Sequence, residues 1–180
     1  MGKIVATTFM SLDGVMEEPR WTFKYWGDDI AHYKFTELMQ SDAQLLGRVT
    51  WEGFAQAWPD RKDEQGYADK FNAMPKYVVS NTLQDAKWTN SHIIRGDELV
   101  NKVAELKTAM SGDILISGSA TLVNELLKHN LIDEYKLLTY PVVVGQGKRI
   151  FFDGSKVNLK LIETIPFQSG AVALRYEPER

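Results

Sequence analysis

Two stretches of small residues stand where an apolar run gives way to a helical pattern: Gly47-Arg48-Val49-Thr50 and Ser117-Gly118-Ser119-Ala120-Thr121. Residues without bulk at a strand-to-helix turn let a ligand's phosphates approach the backbone. The first N–H groups of the helix then meet them with partial positive charge. Arg48 would add charge to the first turn and Thr50 a hydroxyl. Two such turns could grip one dinucleotide from both sides, at the carboxyl ends of parallel strands where α/β sheets hold nucleotides. The same residues equally describe turns kept small so that helix and strand pack closely. Neither stretch has the Gly-x-Gly-x-x-Gly spacing of a standard Rossmann turn.

A nicotinamide dinucleotide would imply hydride transfer, and hydride transfer to a C=N or C=O group needs a proton for the partner atom. The candidate carboxylates are Asp13, in a turn after the first strand, and Asp28 and Asp29, at the start of a helical run. Asp28 and Asp29 suit helix capping at least as well. His32, His92 and His129 fall on separate elements, and no His-Glu-x-x-His or carboxylate cluster suggests a metal. Trp21, Phe23, Tyr25, Trp26 and Tyr33 form an aromatic group that could line a pocket, pack as a lid or make a dimer contact.

Several elements must position these residues. Lys3 to Phe9 reads as a buried strand and Ser11 to Gly14 as a turn. Residues 17–27 read as an aromatic-rich loop, followed by a helix from Asp28 or Asp29 to about Gln40. Ala43 to Leu46 is a short strand leading into a helix near Arg48. Pro59 to Gly66 is a charged loop, and Tyr67 to Ala73 a short helix stopped by Pro75. Tyr77 to Ser80 and His92 to Arg95 read as strands. Glu98 to Met110 is a helix closed by Gly112. Ile114 to Ile116 is a strand, with a helix after Ser119 carrying Leu122, Val123, Leu126 and Leu127 on one face. Tyr135 to Thr139 follows as a strand, then a hairpin of Leu159 to Ile165 and Ala171 to Tyr176 around Ser169-Gly170. Strands and helices that alternate and then close in β-structure predict an α/β fold. Its central sheet is mostly parallel, with helices on both faces and an antiparallel C-terminal edge. No repeat, linker or low-complexity tract divides residues 1–180, so one domain is expected.

The 180 residues carry a net charge of −3 and are 44% hydrophobic, enough for a core but without the basic face of a nucleic-acid binder. There is no cysteine, hence no disulfide framework or thiolate metal site. No signal-peptide layout opens the chain and no apolar run is long enough to span a membrane, so a soluble, cytoplasmic protein is expected.

Residues 112–152 resemble the reductase domain of bacterial riboflavin biosynthesis, a branch of the dihydrofolate reductase-like superfamily. They share its strand–Gly–helix stretch, then Leu131-Ile132-Asp133-Glu134, then Pro141-Val142-Val143-Val144-Gly145-Gln146-Gly147. Met10-Ser11-Leu12-Asp13-Gly14 resembles the opening signature of that family, and Ser41 to Glu52 its second strand and cofactor-binding helix start. These pieces span nearly the whole chain in the right order. The resemblance implies a three-layer dihydrofolate reductase-like fold and NADPH as cofactor. It assigns the cofactor Ala6, Leu12 and Gly14, Gly47, Arg48 and Thr50, and Ser117, Gly118, Ser119, Ala120 and Thr121. At the strand ends around the adenosine it adds Ser80, Asn81 and Arg95, with Arg95 as the partner of a 2′-phosphate. It matches Asp29 and Thr139 to a catalytic carboxylate on the first long helix and a nearby threonine.

The activity implied is reduction of a small heterocycle such as 5-amino-6-(5-phosphoribosylamino)uracil. Dihydrofolate reduction and a non-catalytic NADP-binding protein are the alternatives, and a dimer with a vestigial pocket is a third. Riboflavin-pathway reductases usually show Glu-Gly-Gly where this chain has Ser117-Gly118-Ser119. The arginine that would bind a folate carboxylate is replaced by Met74-Pro75-Lys76. The apolar 141–152 stretch, and the habit of the resembled reductases, predict a homodimer.

Overall fold

The computed structural model describes residues 1–180. It is built on one eight-stranded sheet in the order β4-β3-β2-β5-β1-β6-β8-β7. The strands are β1 (Ile4–Ser11), β2 (Ser41–Gly47), β3 (Lys76–Val79), β4 (Ser91–Ile94), β5 (Asp113–Ser117), β6 (Glu134–Tyr140), β7 (Leu159–Pro166) and β8 (Val172–Pro178). The first six are parallel to their neighbours; β8 runs antiparallel to β6 and to β7. The helices are α1 (Asp28–Met39), α2 (Arg48–Ala57), α3 (Tyr67–Ala73), α4 (Leu99–Ala109) and α5 (Ala120–Lys128).

Strand alternation sorts side chains into two layers. Ile4, Ala6, Ala43, Leu45, Ile114 and Ile116 pack under Leu99, Val103 and Leu106 of α4 and Leu122, Val123 and Leu126 of α5. On the opposite face, Leu46 and Val78 meet Leu38 of α1, Trp51 of α2 and Phe71 of α3. Ile30 of α1 joins Leu138 and Tyr140 further along that face. The result is the expected three-layer α/β fold with an antiparallel edge.

Four local expectations change. Residues Pro19–Tyr25 form a 3-10 helix rather than an irregular loop, started by Pro19. Trp21, Tyr25 and Phe9 all pack on Tyr140, with ring centroids 5.7–5.8 Å apart. Most of the aromatic group is therefore core, and only Trp26 reaches the cleft described below. At α1 the N-cap position belongs to Gly27. Asp28 and Asp29 lie in the first turn, where their charge complements the helix dipole. Strands β3 and β4 each begin and end one residue earlier than predicted, leaving Ser80 and Arg95 just past their ends. Gly112 does not close α4, which ends at Ala109 with Met110 as its C-cap. The Gly112 N–H donates instead to Asp42 at 2.7 Å, tying the β5 entry to β2.

Candidate active site

Strands β2 and β5 are neighbours, so the turns that follow them lie side by side. An added Cβ at Gly47 would come 2.3 Å from Ser119 Oγ. Only glycine permits that approach. Gly118 (φ 75°) and Ser119 (φ 59°) both take left-handed backbone conformations. Such a conformation is costly for serine and recurs at ligand-binding turns. Ser119 caps α5 by accepting from Leu122 N–H at 3.4 Å, whereas α2 has no side-chain cap. Two helix N-termini thus open toward one place. A Cβ at Gly118 would lie 3.7 Å from Thr50 Oγ1, in the space between them. This narrow cradle of small residues and helix N-terminal amides fits a pyrophosphate.

The cradle opens onto a cleft of about 1680 Å³ that runs along the α1–α3 face of the sheet. Of the residues assigned to the cofactor, Gly47, Arg48, Thr50, Asn81, Ser117, Gly118, Ser119, Ala120 and Thr121 line it. Arg48 Nη1 donates to both carboxylate oxygens of Glu52 one turn along α2, at 2.9 Å each. The Ser117 hydroxyl donates to Gln44 Oε1 at 2.7 Å and so faces the sheet.

The other assigned residues lie outside the lining. Ala6 is buried in β1 beneath α5, Leu12 is 64% exposed, and Gly14 makes the φ 81° turn after β1. Ser80 is buried, its Oγ accepting from Thr82 and Leu83 N–H. Arg95 spends one guanidinium nitrogen on the carbonyls of Ser80 and Leu83, at 2.7 and 2.9 Å, and so holds the β3 exit loop. Asp29 accepts from Gln168 N–H at 2.8 Å, pinning the β7–β8 turn to α1. Thr139 is paired between Met10 and Val172 in the sheet with a buried, unpartnered hydroxyl. No hydrogen bond joins it to Asp29. Asp13 is also set aside as an acid. Ser11 Oγ and the N–H groups of Val144 and Gly145 all donate to it, and they hold its carboxyl down to about 2. It is ionised at neutral pH and anchors the 142–145 segment.

The residues that carry charge into the cleft floor are ones the sequence did not single out. Ala31, Lys34, Phe35 and Leu38 of α1 form a stripe facing it. Lys34 Nζ donates to Thr7 Oγ1 at 2.9 Å and also to Glu37, and Thr7 Oγ1 donates to Glu37 Oε2 at 3.1 Å. Thr7 adjoins the cradle directly, because its carbonyl accepts from Gly118 N–H at 3.4 Å. The facing wall is aromatic: Phe54, Trp58, Tyr67 and Phe71. Burial and, second, the Glu37 carboxylate push the Tyr67 phenol up to about 12, so it is protonated at neutral pH. The helical spacing of Ala31, Lys34, Phe35 and Leu38 was the available signal. It marks a second face beside the core position Ile30.

No cluster of three or more His, Asp or Glu side chains is placed to hold a metal. No helix is long and apolar enough to cross a membrane.

The RibD C-terminal domain family model matches residues 2–173. The chain is 31% identical to the uncharacterized protein YyaP of Bacillus subtilis (strain 168) over 182 residues, covering 97% of this chain and 94% of that protein. A candidate riboflavin biosynthesis protein from Shewanella sp. PV-4 superposes with a TM-score of 0.79 at 21% identity, over 100% of both chains. Dihydrofolate reductase from Enterococcus faecalis, complexed with NADP(H), superposes with a TM-score of 0.64 at 16% identity, over 99% of this chain and 98% of that one. At those identities the two structures share the fold with this chain.

Proposed function

The chain belongs to the RibD C-terminal domain family, and from that premise we propose that it is an NADPH-dependent reductase of a small heterocyclic substrate. The observation that carries this reading is the continuity of one cleft from the paired helix N-termini to a charged floor. Sites for one small ligand usually span about 300–1000 Å³. A cleft of about 1680 Å³ has room for a dinucleotide and a second molecule beside it.

The turns Gly47–Thr50 and Ser117–Thr121 hold the pyrophosphate. Val79, Asn81, Gly96 and Leu99, at the carboxyl ends of β3 and β4, take the adenosine end of the cleft. The floor at Thr7, Lys34 and Glu37 takes the substrate beside the nicotinamide, which supplies the hydride when bound. The aromatic wall and Trp26 keep water from the reacting carbon. One domain, acting as a homodimer, completes the reading. Val143 and Phe152 stay exposed for such a contact, while Ile150 turns into the core.

The substrate to try first is 5-amino-6-(5-phosphoribosylamino)uracil, with dihydrofolate as the competitor. The test is NADPH consumption, followed by absorbance, with each in turn. Faster consumption with the pyrimidine supports the reading, and faster consumption with dihydrofolate reverses the substrate order. Retention of NADPH with no turnover of either points to the non-catalytic alternative.

A further inference from the structure

We propose that Lys148 is the cation of the phosphate cradle, its ammonium holding an oxygen of the dinucleotide's pyrophosphate. The inference rests on the reductase reading in taking a dinucleotide as the cradle's occupant.

The two helix N-termini offer amides and partial charge but no full positive charge. A pyrophosphate would bring negative charge into a cleft already lined by Glu17, Glu18, Glu64 and Glu125. Three of the cations in that lining stand in pairs with no net charge: Arg48 with Glu52, Lys34 with Glu37 and Lys62 with Asp69. Arg61 lies over the Trp58 ring, 4.6 Å from its centroid. From Thr50 to Trp58, α2 and its C-cap run roughly 12 Å at 1.5 Å per residue, so Arg61 sits on the aromatic wall, away from the cradle. Lys148 is left. It lines the same cleft, and its ammonium has no partner in the chain.

The Lys148 backbone fixes where that ammonium stands. Its N–H donates to Glu17 Oε2 at 3.1 Å, and its carbonyl accepts from Met16 N–H at 2.9 Å. Val15 bridges Arg149 in the same antiparallel contact. Gly147 comes so near that an added Cβ would lie 2.9 Å from Val15 Cγ1. Met16 in turn touches the cradle turn: its Cε lies 3.9 Å from where a Cβ at Gly118 would stand. Lys148 is therefore tied to the residue that borders the cradle, and its flexible four-carbon stem carries the charge past Met16 to the mouth. An ammonium is a point charge and takes a phosphate oxygen without the planar fork that arginine needs. The pyrophosphate is common to NADPH and NADH, so Lys148 should not distinguish them.

The test is calorimetric titration of NADPH, NADH, inorganic pyrophosphate and ribose 5-phosphate into the parent, Lys148→Met and Lys148→Arg. The Lys148 side chain is exposed and unpartnered, so both variants are expected to melt as the parent does. Lys148→Met is expected to weaken NADPH, NADH and pyrophosphate about tenfold or more, the loss of one charge-assisted contact, and Lys148→Arg to recover most of it. Parental affinity for both dinucleotides in Lys148→Met overturns the proposal. So does a loss confined to NADPH, which would make Lys148 a reader of the 2′-phosphate. A loss confined to ribose 5-phosphate overturns it too, by giving Lys148 to a substrate phosphate. A parent that binds pyrophosphate through Lys148 but takes up neither dinucleotide supports the cation's role and sinks the reductase reading instead. A parent that binds none of the four overturns both.

Discussion

The two ends of α1 carry carboxylates with opposite fates. At its start, Asp29 reaches away from the cleft and secures the β7–β8 turn through Gln168 N–H. Near its end, Glu37 is buried at the cleft floor against Thr7 and Lys34. Eight residues separate them, and at roughly 100° per residue they face about 80° apart on the helix. That rotation divides a structural acid from a site acid. A carboxylate early on a helix is readily taken for chemistry, but the face it occupies decides.

The comparison breaks most visibly at Glu37. Replacing it by alanine leaves the Lys34 ammonium without its partner in a largely enclosed position. The expected loss is about 3 kcal/mol by urea denaturation. A loss below about 1 kcal/mol, the scale of an exposed pair, would mean that Glu37 is not the buried member of this contrast.

At the other end, Asp29→Ala removes an acceptor from Gln168 N–H and a charge from the first turn of α1. It is expected to cost about 1 kcal/mol and to leave turnover per folded molecule unchanged. Activity abolished in a folded Asp29→Ala protein would return Asp29 to the mechanism.

Titration sharpens the contrast between buried and exposed acids. Tyr67 and Tyr135 are pushed up by burial from 10.0 to about 12, so the folded state keeps protons that the unfolded chain releases. Their contribution is complete below pH 10 and is lost as pH rises through about 12. Lys76 is the opposite case: burial pushes its ammonium from 10.5 down to about 8. Stability should therefore climb as pH rises from about 8, then fall beyond 10. Asp13, half-buried and held at about 2, contributes above pH 3.8 and loses its contribution as pH falls through about 2. Thermal melts across this range check the shape, and a monotonic fall from pH 8 to 12 would contradict the Lys76 environment.

The smallest effect is expected at Arg95. Because its guanidinium braces the Ser80 and Leu83 carbonyls, Arg95→Ala should weaken NADPH and NADH to the same modest degree. A loss confined to NADPH would show that it reads the 2′-phosphate after all.

The alternation of strands and helices was legible because apolar runs such as Ile114–Ile116 are continuous where a strand is buried on both faces. The two cradle turns were legible because a close backbone approach demands small residues, as the Gly47–Ser119 contact shows. The floor was not. Lys34 and Glu37 look like an ordinary exposed i,i+3 pair, and only the sheet beneath, with Thr7 rising to meet them, makes them a buried unit. The engagement of Arg95 was hidden for a related reason. A cation past a strand end has several acceptors in reach, and here the carbonyls of its own neighbouring loop win. A valine at Gly118 would block the cradle turn and, because φ there is 75°, would strain the backbone as well.

A cleaner probe of the cradle is Thr121→Asp, in the first turn of α5. An added carboxylate there complements the helix dipole and so preserves or slightly raises stability, while it repels a phosphate at the same place. Titration of NADPH into the parent and this variant, alongside their melting temperatures, tests the central claim. The account predicts binding by the parent and at least tenfold weaker binding by a Thr121→Asp protein that melts no lower. Parental affinity in that variant would contradict it.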